Sequence, residues 1–135
     1  AVGGRDARIQ AVTRTPNSGT FLYFKEHVLD NQSYRLDRLT VPTLKRMLET
    51  VSQNPDAIGY GGILNQPGIR LCTVDGIEPT VENVANDTYP ITRYLYLYAV
   101  NTPRGTAKQF VDWVLSPEGQ KIVRESGFFP IWSED

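Results

Sequence analysis

Cysteine is almost missing from this sequence. Cys72 stands alone among 135 residues, and a lone cysteine excludes an internal disulfide framework. Histidine is as scarce, with His27 alone, so a Cys/His zinc centre has no ligand set to draw on and no metal or cofactor is expected. An excess of one charge is missing too: 14 Lys+Arg stand against 15 Asp+Glu, a formal net charge of −1. Broad electrostatic capture of nucleic acid or anionic membrane needs clustered positive charge, so neither is an expected partner. No apolar run approaches the roughly 20 residues of a membrane-spanning helix. Ala1 is not an initiator methionine, and Ala1–Gly4 lacks the charged-then-apolar layout of a signal peptide. The expectation is therefore a processed product or a piece of a longer protein. Internal repeats and low-complexity tracts are absent as well. What remains, 40% hydrophobic and 21% charged residues, is the composition of a globular chain of about one domain.

Hydrophobic periodicity gives an interleaved order of strands and helices. Residues 8–13, R-I-Q-A-V-T, read as a short strand. The polar break R-T-P-N-S-G-T follows, and then a helix whose Phe21, Phe24 and Val28 share a face, with Ser18 as its N-cap. A second helix spans about Pro42–Gln53, with Leu44, Met47, Leu48 and Val51 at i, i+3, i+4 and i+7 and Pro42 in its first turn. Ala57–Tyr60 and Ile69–Val74 read as short strands, the latter closed by an Asp75-Gly76 turn. Residues 79–85 suit a short helical turn. Thr92–Val100 carries the clearest strand signal, with Tyr94, Tyr96 and Tyr98 on one face and Leu95, Leu97 and Ala99 on the other. Both faces are large and apolar, which predicts cover on both. Two helices end the chain: Gly105–Leu115, and one with Ser116 at N-cap, Pro117 at N1 and Gly127 as terminator. The class is α/β.

The strongest candidate for chemistry is the loop from Arg14 to Thr20. A helix N-terminus carries unpaired amides and roughly half a positive charge. Gly19 lets an anion approach the backbone, Ser18 and Thr20 add hydroxyl donors, and Arg14 adds a planar fork of N–H groups. These groups suit a tetrahedral oxyanion. The plain alternative is a capped helix beside a surface arginine. Elsewhere the bland readings prevail. His27 has no triad partner nearby, Cys72 reads as a core filler, and Glu78, Glu82 and Asp87 lack metal-loop spacing. The tyrosine stripe lacks the interleaved positive charge of a base-stacking platform. Gly59, Gly61 and Gly62 match neither nucleotide-binding glycine pattern.

Four blocks in order, R-T-P-N-S-G-T, N-P-D-A-I-G-Y-G-G, E-N-V-A-N-D-T-Y-P-I-T-R-Y-L-Y-L-Y and F-V-D-W-V-L-S-P-E-G-Q-K-I-V-R-E-S-G-F-F-P-I, resemble the periplasmic phosphate-binding proteins of ABC transporters. The likeness spans about Val2 to Ile131 and corresponds to the later half of that family's sequence. It implies a type II periplasmic-binding-protein fold, with a mixed sheet flanked by helices in each α/β lobe. About 1–90 would be a second-lobe-like region carrying the anion loop, and about 91–135 a hinge strand with the C-terminal helices. It implies phosphate held by Arg14, Ser18, Gly19 and Thr20, without enzymatic turnover, in a periplasmic or extracytoplasmic setting. Expected partners are inorganic phosphate or a similar oxyanion, an ABC transporter permease, and either the first-lobe half or a second copy of the chain. The rival functions are a sensor or interaction domain of the same fold and a Ser18-dependent phosphoryl- or acyl-transfer enzyme. One departure stands out: Pro16 occupies the place where the family commonly has an acidic residue that orients the arginine.

Overall fold

A computed structural model of the chain describes residues 6–62 and 67–131. Ala1–Gly4, and Trp132 at the end of the F-F-P-I-W segment, lie outside the described residues. Two compact units emerge, one of residues 6–62 with 67–69 and one of residues 70–131.

The first unit is built on a three-stranded sheet of β1 (Gln10–Arg14), β2 (Leu39–Val41) and β3 (Ala57–Ile58) in the order β2-β1-β3. Both pairings are parallel, with Arg14 opposite Val41 and Ala11 opposite Ile58. The α/β class is thus realised, and the three described strands are wholly parallel where a mixed sheet was expected. Helix α1 (Gly19–His27) links β1 to β2, and α2 (Leu44–Gln53) links β2 to β3 on the far side of β1. Since the two crossovers run in opposite directions along the sheet, right-handed connection puts the helices on opposite faces. Strand alternation serves that arrangement, turning Val12 to one face and Thr13 to the other. Val12, Val41 and Met47 form the core cluster, with Val51 and Ala57 packed against it. Met47 and Val51 fall on the stripe expected of α2. The helix starts later than expected: Pro42 precedes it, and the Thr43 hydroxyl accepts from the Arg46 amide. A capping threonine supplies what Pro42 cannot, an acceptor for a first-turn N–H.

Four rings form a second layer of support in this unit. Phe21 of α1 stacks on Tyr34 at 4.4 Å, and Phe24 stacks on Tyr60 at 4.0 Å. The Tyr34 hydroxyl donates to the Phe21 carbonyl at 2.9 Å and lies 2.9 Å from the Tyr60 hydroxyl. With its proton on Phe21, Tyr34 accepts from Tyr60. Burial first, and the bond with Tyr60 second, push the Tyr34 phenol well above its ordinary value near 10. A phenol whose folded pKa is raised contributes stability that is complete below about pH 10 and is lost as pH rises above it. Tyr34→Phe should therefore lower stability by about 0.5–1.5 kcal/mol at neutral pH. Its urea midpoint should also fall less steeply than the parent's above about pH 10. Parallel curves for the two proteins across that range would refute the assignment.

The second unit holds α3 (Val81–Ala85), α4 (Gly105–Val114) and α5 (Pro117–Glu125). α5 begins as expected, with the Ser116 hydroxyl accepting from the Gly119 amide and Pro117 in the first turn, and Gly127 follows it with φ +84°. The turn at Asp75-Gly76 also forms, both residues at positive φ, closing a single bridge between Val74 and Ile77. Two expected strands do not form. Ile69–Val74 contributes only that bridge, and Cys72, expected in the core, is exposed. Residues 92–100 form no strand among the described residues, and the side chains of Tyr94 to Tyr98 are exposed on both faces. The alternation there is real, but a strand requires a neighbour to share its backbone hydrogen bonds.

Candidate functional site

In an open parallel sheet, ligands bind outside the carboxyl ends of the strands, where neighbouring strands send their connections opposite ways. Here the carboxyl end of β1, the central strand, is such a place. The loop Thr15–Ser18 leaves β1 there and delivers the chain to the N-terminus of α1.

The structure places the four sequence-predicted residues along this short stretch. Arg14 is the last residue of β1, half-buried, and its Nη2 donates to the Pro42 carbonyl at 3.0 Å. This bond ties the arginine to the chain leaving β2. It supplies an acceptor for the guanidinium in a loop where Pro16 has no side-chain oxygen to offer. The Arg14 Nε is buried with no partner, as is the Thr13 Oγ1 one residue earlier. Unpaired buried groups of this kind cost about 1–3 kcal/mol each, so they are rare and need a reason.

Ser18 sits at the N-cap position in extended conformation, yet its side chain makes no capping bond. This corrects the expectation that its hydroxyl would accept from a first-turn amide. Its own amide is used in the turn, donating to the Thr15 carbonyl at 2.9 Å. Thr43, Thr80 and Ser116, by contrast, each cap their helices through the side chain. At α1 the first-turn amides keep their donors, and the Ser18 hydroxyl is free to turn outward. Gly19 opens the helix and is exposed, while Thr20 is half-buried beside it. Between Arg14 and Thr20 the chain carries backbone amides, two hydroxyls and a guanidinium, donors of the kinds that suit an oxyanion.

Two supports of this loop were not foreseen from the sequence. One is the Pro42 carbonyl, a backbone acceptor that no residue type announces. The other is the Tyr34 hydroxyl, which holds the Phe21 carbonyl in the first turn of α1. Its only sequence signal is an aromatic residue in a polar connection. His27, set aside as a bystander, lies at the opposite end of α1 with its ring 4.4 Å from Tyr23.

The chain as a whole has known relatives. A family model described as a PBP superfamily domain matches residues 2–118. A phosphate-binding protein PstS of Bacillus subtilis is 32% identical over 96% of this chain and 44% of its own length. One from Pseudomonas aeruginosa is 34% identical over 91% of this chain and 42% of its own. Among solved structures, a phosphate ABC transporter substrate-binding protein from Clostridium perfringens, with bound phosphate, superposes with a TM-score of 0.78 at 30% identity. That match covers 96% of this chain and 55% of the other. PstS from Borrelia burgdorferi superposes with a TM-score of 0.68 at 28% identity, over 98% of this chain and 56% of the other. The chain thus spans about half the length of the relatives it matches. With the superfamily model running through both units, and with solved phosphate-binding proteins sharing the fold, this chain belongs to the PBP superfamily.

Proposed function

We propose that this chain supplies the phosphate-holding wall of a solute-binding protein serving an ABC-type phosphate uptake system. Arg14, Ser18, Gly19 and Thr20 are the residues that hold the anion. One observation carries the reading: the N-terminus of α1, left without a side-chain cap, follows Arg14, the half-buried last residue of the central strand, by five residues. The relatives named as phosphate-binding proteins support the choice of anion. An extracytoplasmic setting and a transporter permease as partner belong to the same proposal. So does the division of labour in which the rest of a two-lobed protein closes over the ligand.

The reading is non-enzymatic. A nucleophilic Ser18 needs a base within hydrogen-bond reach, and His27 lies nine residues along α1, roughly 13 Å of helical rise away. Binding by this wall alone leaves the anion wet, so each hydrogen bond is worth only about 0.5–1.5 kcal/mol net. Affinity near the millimolar range follows, about −4 kcal/mol. Titration of the chain with inorganic phosphate, followed by amide NMR, should move the resonances of Gly19 and Thr20. Arg14→Ala removes a charge-assisted donor set and should weaken binding by roughly tenfold or more, and Thr20→Val should also lose binding. Circular dichroism should show both variants folded. Parent-like binding by Arg14→Ala would put the anion elsewhere, and Ser18-dependent phosphatase activity would replace binding with catalysis.

A further inference from the structure

A neutral group ties Arg14 down. Its Nη2 donates to the Pro42 carbonyl at 3.0 Å, and it makes no ion pair among the described residues. Arg8 and Arg35 pair instead with the Asp37 carboxylate, and Arg46 with that of Glu49. A carboxylate would fix the guanidinium and also offset its charge. A carbonyl fixes it and leaves the full charge for a ligand.

The carbonyl is itself held by a well-fixed corner. Arg14 stands opposite Val41 in the parallel ladder, so Pro42, the next residue, leaves β2 alongside it. Val41 anchors one side of the corner in the core, and the Pro42 ring sets φ there. On the other side Thr43 closes the first turn of α2 twice. Its hydroxyl accepts from the Arg46 amide and its carbonyl from the Met47 amide, both at 3.1 Å. The Pro42 carbonyl and the Thr43 amide share one planar peptide group, so the bonds that fix Thr43 also fix where that carbonyl points.

The N–H groups of Arg14 divide accordingly. Nε is buried without a partner, one N–H of Nη2 is committed to Pro42, and the Nη1 end is left to meet a ligand. An unpaired buried N–H is tolerated where orientation matters more than full pairing, because a donor set before binding need not be ordered during it. We infer that the corner between β2 and α2, through the Pro42 carbonyl and the Thr43 cap, is a positioning element of the anion site. It presents Arg14 to the anion end-on, by Nη1 and the second N–H of Nη2, with Nε kept out of contact. The inference rests on the reading of Arg14 as an anion ligand, and extends the site to a corner that carries none of the four binding residues.

Titration of the full chain with inorganic phosphate, read by amide NMR at Gly19 and Thr20, tests the corner. Thr43→Ala releases the cap and should raise the apparent Kd about threefold, the factor expected when the guanidinium is correctly set a third of the time. Thr43→Ser restores the hydroxyl and should recover the parent affinity. Added to Arg14→Ala, Thr43→Ala should cause no further loss, because the cap acts on the anion only through Arg14; a merely structural role would weaken both backgrounds by the same factor. The parent chain supplies a separate reading: the Arg14 Nε–H resonance should shift far less than the Gly19 amide as phosphate saturates. Parent-like binding by Arg14→Ala would overturn the reading of the site and this inference with it. Where Arg14→Ala does weaken binding, parent-like affinity in Thr43→Ala, or equal losses in both backgrounds, overturns the corner's role alone. A large shift of the Nε–H resonance overturns the end-on contact.

Discussion

Met47→Ala should remove about 3 kcal/mol of stability and leave the first unit with a broad or barely cooperative transition. Methionine-to-alanine changes in full cores cost about 2–5 kcal/mol, through lost transfer energy and the cavity left behind. Met47 is 2% exposed and sits among Val12, Val41, Val51 and Ala57. Three further features put the cost in the middle of that range or above it. First, the core is small. Val12, Phe21, Val41 and Met47 are the buried hydrophobic residues among those described, so little remains to collapse into the gap. Second, the Met47 sulfur accepts a hydrogen bond from the Tyr60 amide at 3.3 Å. Third, a Cβ at Gly59 would lie 2.7 Å from the same sulfur. The chain leaving β3 is therefore packed against this one side chain. With total stabilities of about 5–15 kcal/mol for ordinary domains, such a loss is a large fraction. Urea denaturation followed by circular dichroism measures it, and Met47→Leu, which keeps the volume, should cost less than about 1.5 kcal/mol. A parent-like midpoint for Met47→Ala would mean that this cluster does not hold the sheet together.

The same residues show what was legible in the sequence. Met47 and Val51 announced their face because a helical stripe is a local property, written at intervals of three and four residues. Ser116, Pro117 and Gly127 announced the limits of α5 for a similar reason, since capping chemistry acts within one turn. Thr92–Val100 announced its alternation but not its state, because pairing depends on a partner outside the segment. Cys72 was misplaced along with its strand. Ile69–Val74 is short and has no neighbouring strand among the described residues, so its apolar positions gain no cover.

The loop proposed to hold the anion divides along the same line. Its donors could be chosen from residue types, Arg14 and the Ser18-Gly19-Thr20 turn among them. The acceptor that holds Arg14 could not, since a Pro42 carbonyl looks like any other carbonyl in a sequence. Ser18 was legible as the N-cap and illegible as an idle one. Whether a hydroxyl closes its own helix or turns outward depends on a side-chain torsion that the residue name does not fix. The aromatic stack behind the loop also joins residues far apart in sequence, Phe24 with Tyr60 among them.

Gly119→Ala separates two principles that predict opposite signs. Gly119 lies in the first turn of α5, and in an ordinary helix replacing glycine by alanine stabilises by about 1 kcal/mol. Here the junction between α4 and α5 leaves no room for the methyl. A Cβ built on Gly119 would lie 2.2 Å from the Trp113 carbonyl oxygen and 2.6 Å from that of Val114. Both are backbone atoms, so no rotamer change can relieve the contact. The neighbouring bonds hold the junction in place. The Ser116 hydroxyl donates to the Trp113 carbonyl at 2.7 Å, the Gln120 amide group donates to the Val114 carbonyl at 2.8 Å, and the Ile131 amide donates back to Gln120 at 2.8 Å. Moving α5 away from α4 to admit the methyl would stretch these bonds together. Gln120 is nearly buried, so its amide would lose partners that water does not readily replace. Overpacking of about 1–3 kcal/mol, with those bonds added, outweighs the gain in helix propensity. Gly119→Ala should thus lower the thermal midpoint of the second unit and speed amide exchange at Gln120 and Ile131. A rise in the midpoint would show that the junction yields freely, and that the close approach of α5 to the end of α4 does not depend on glycine.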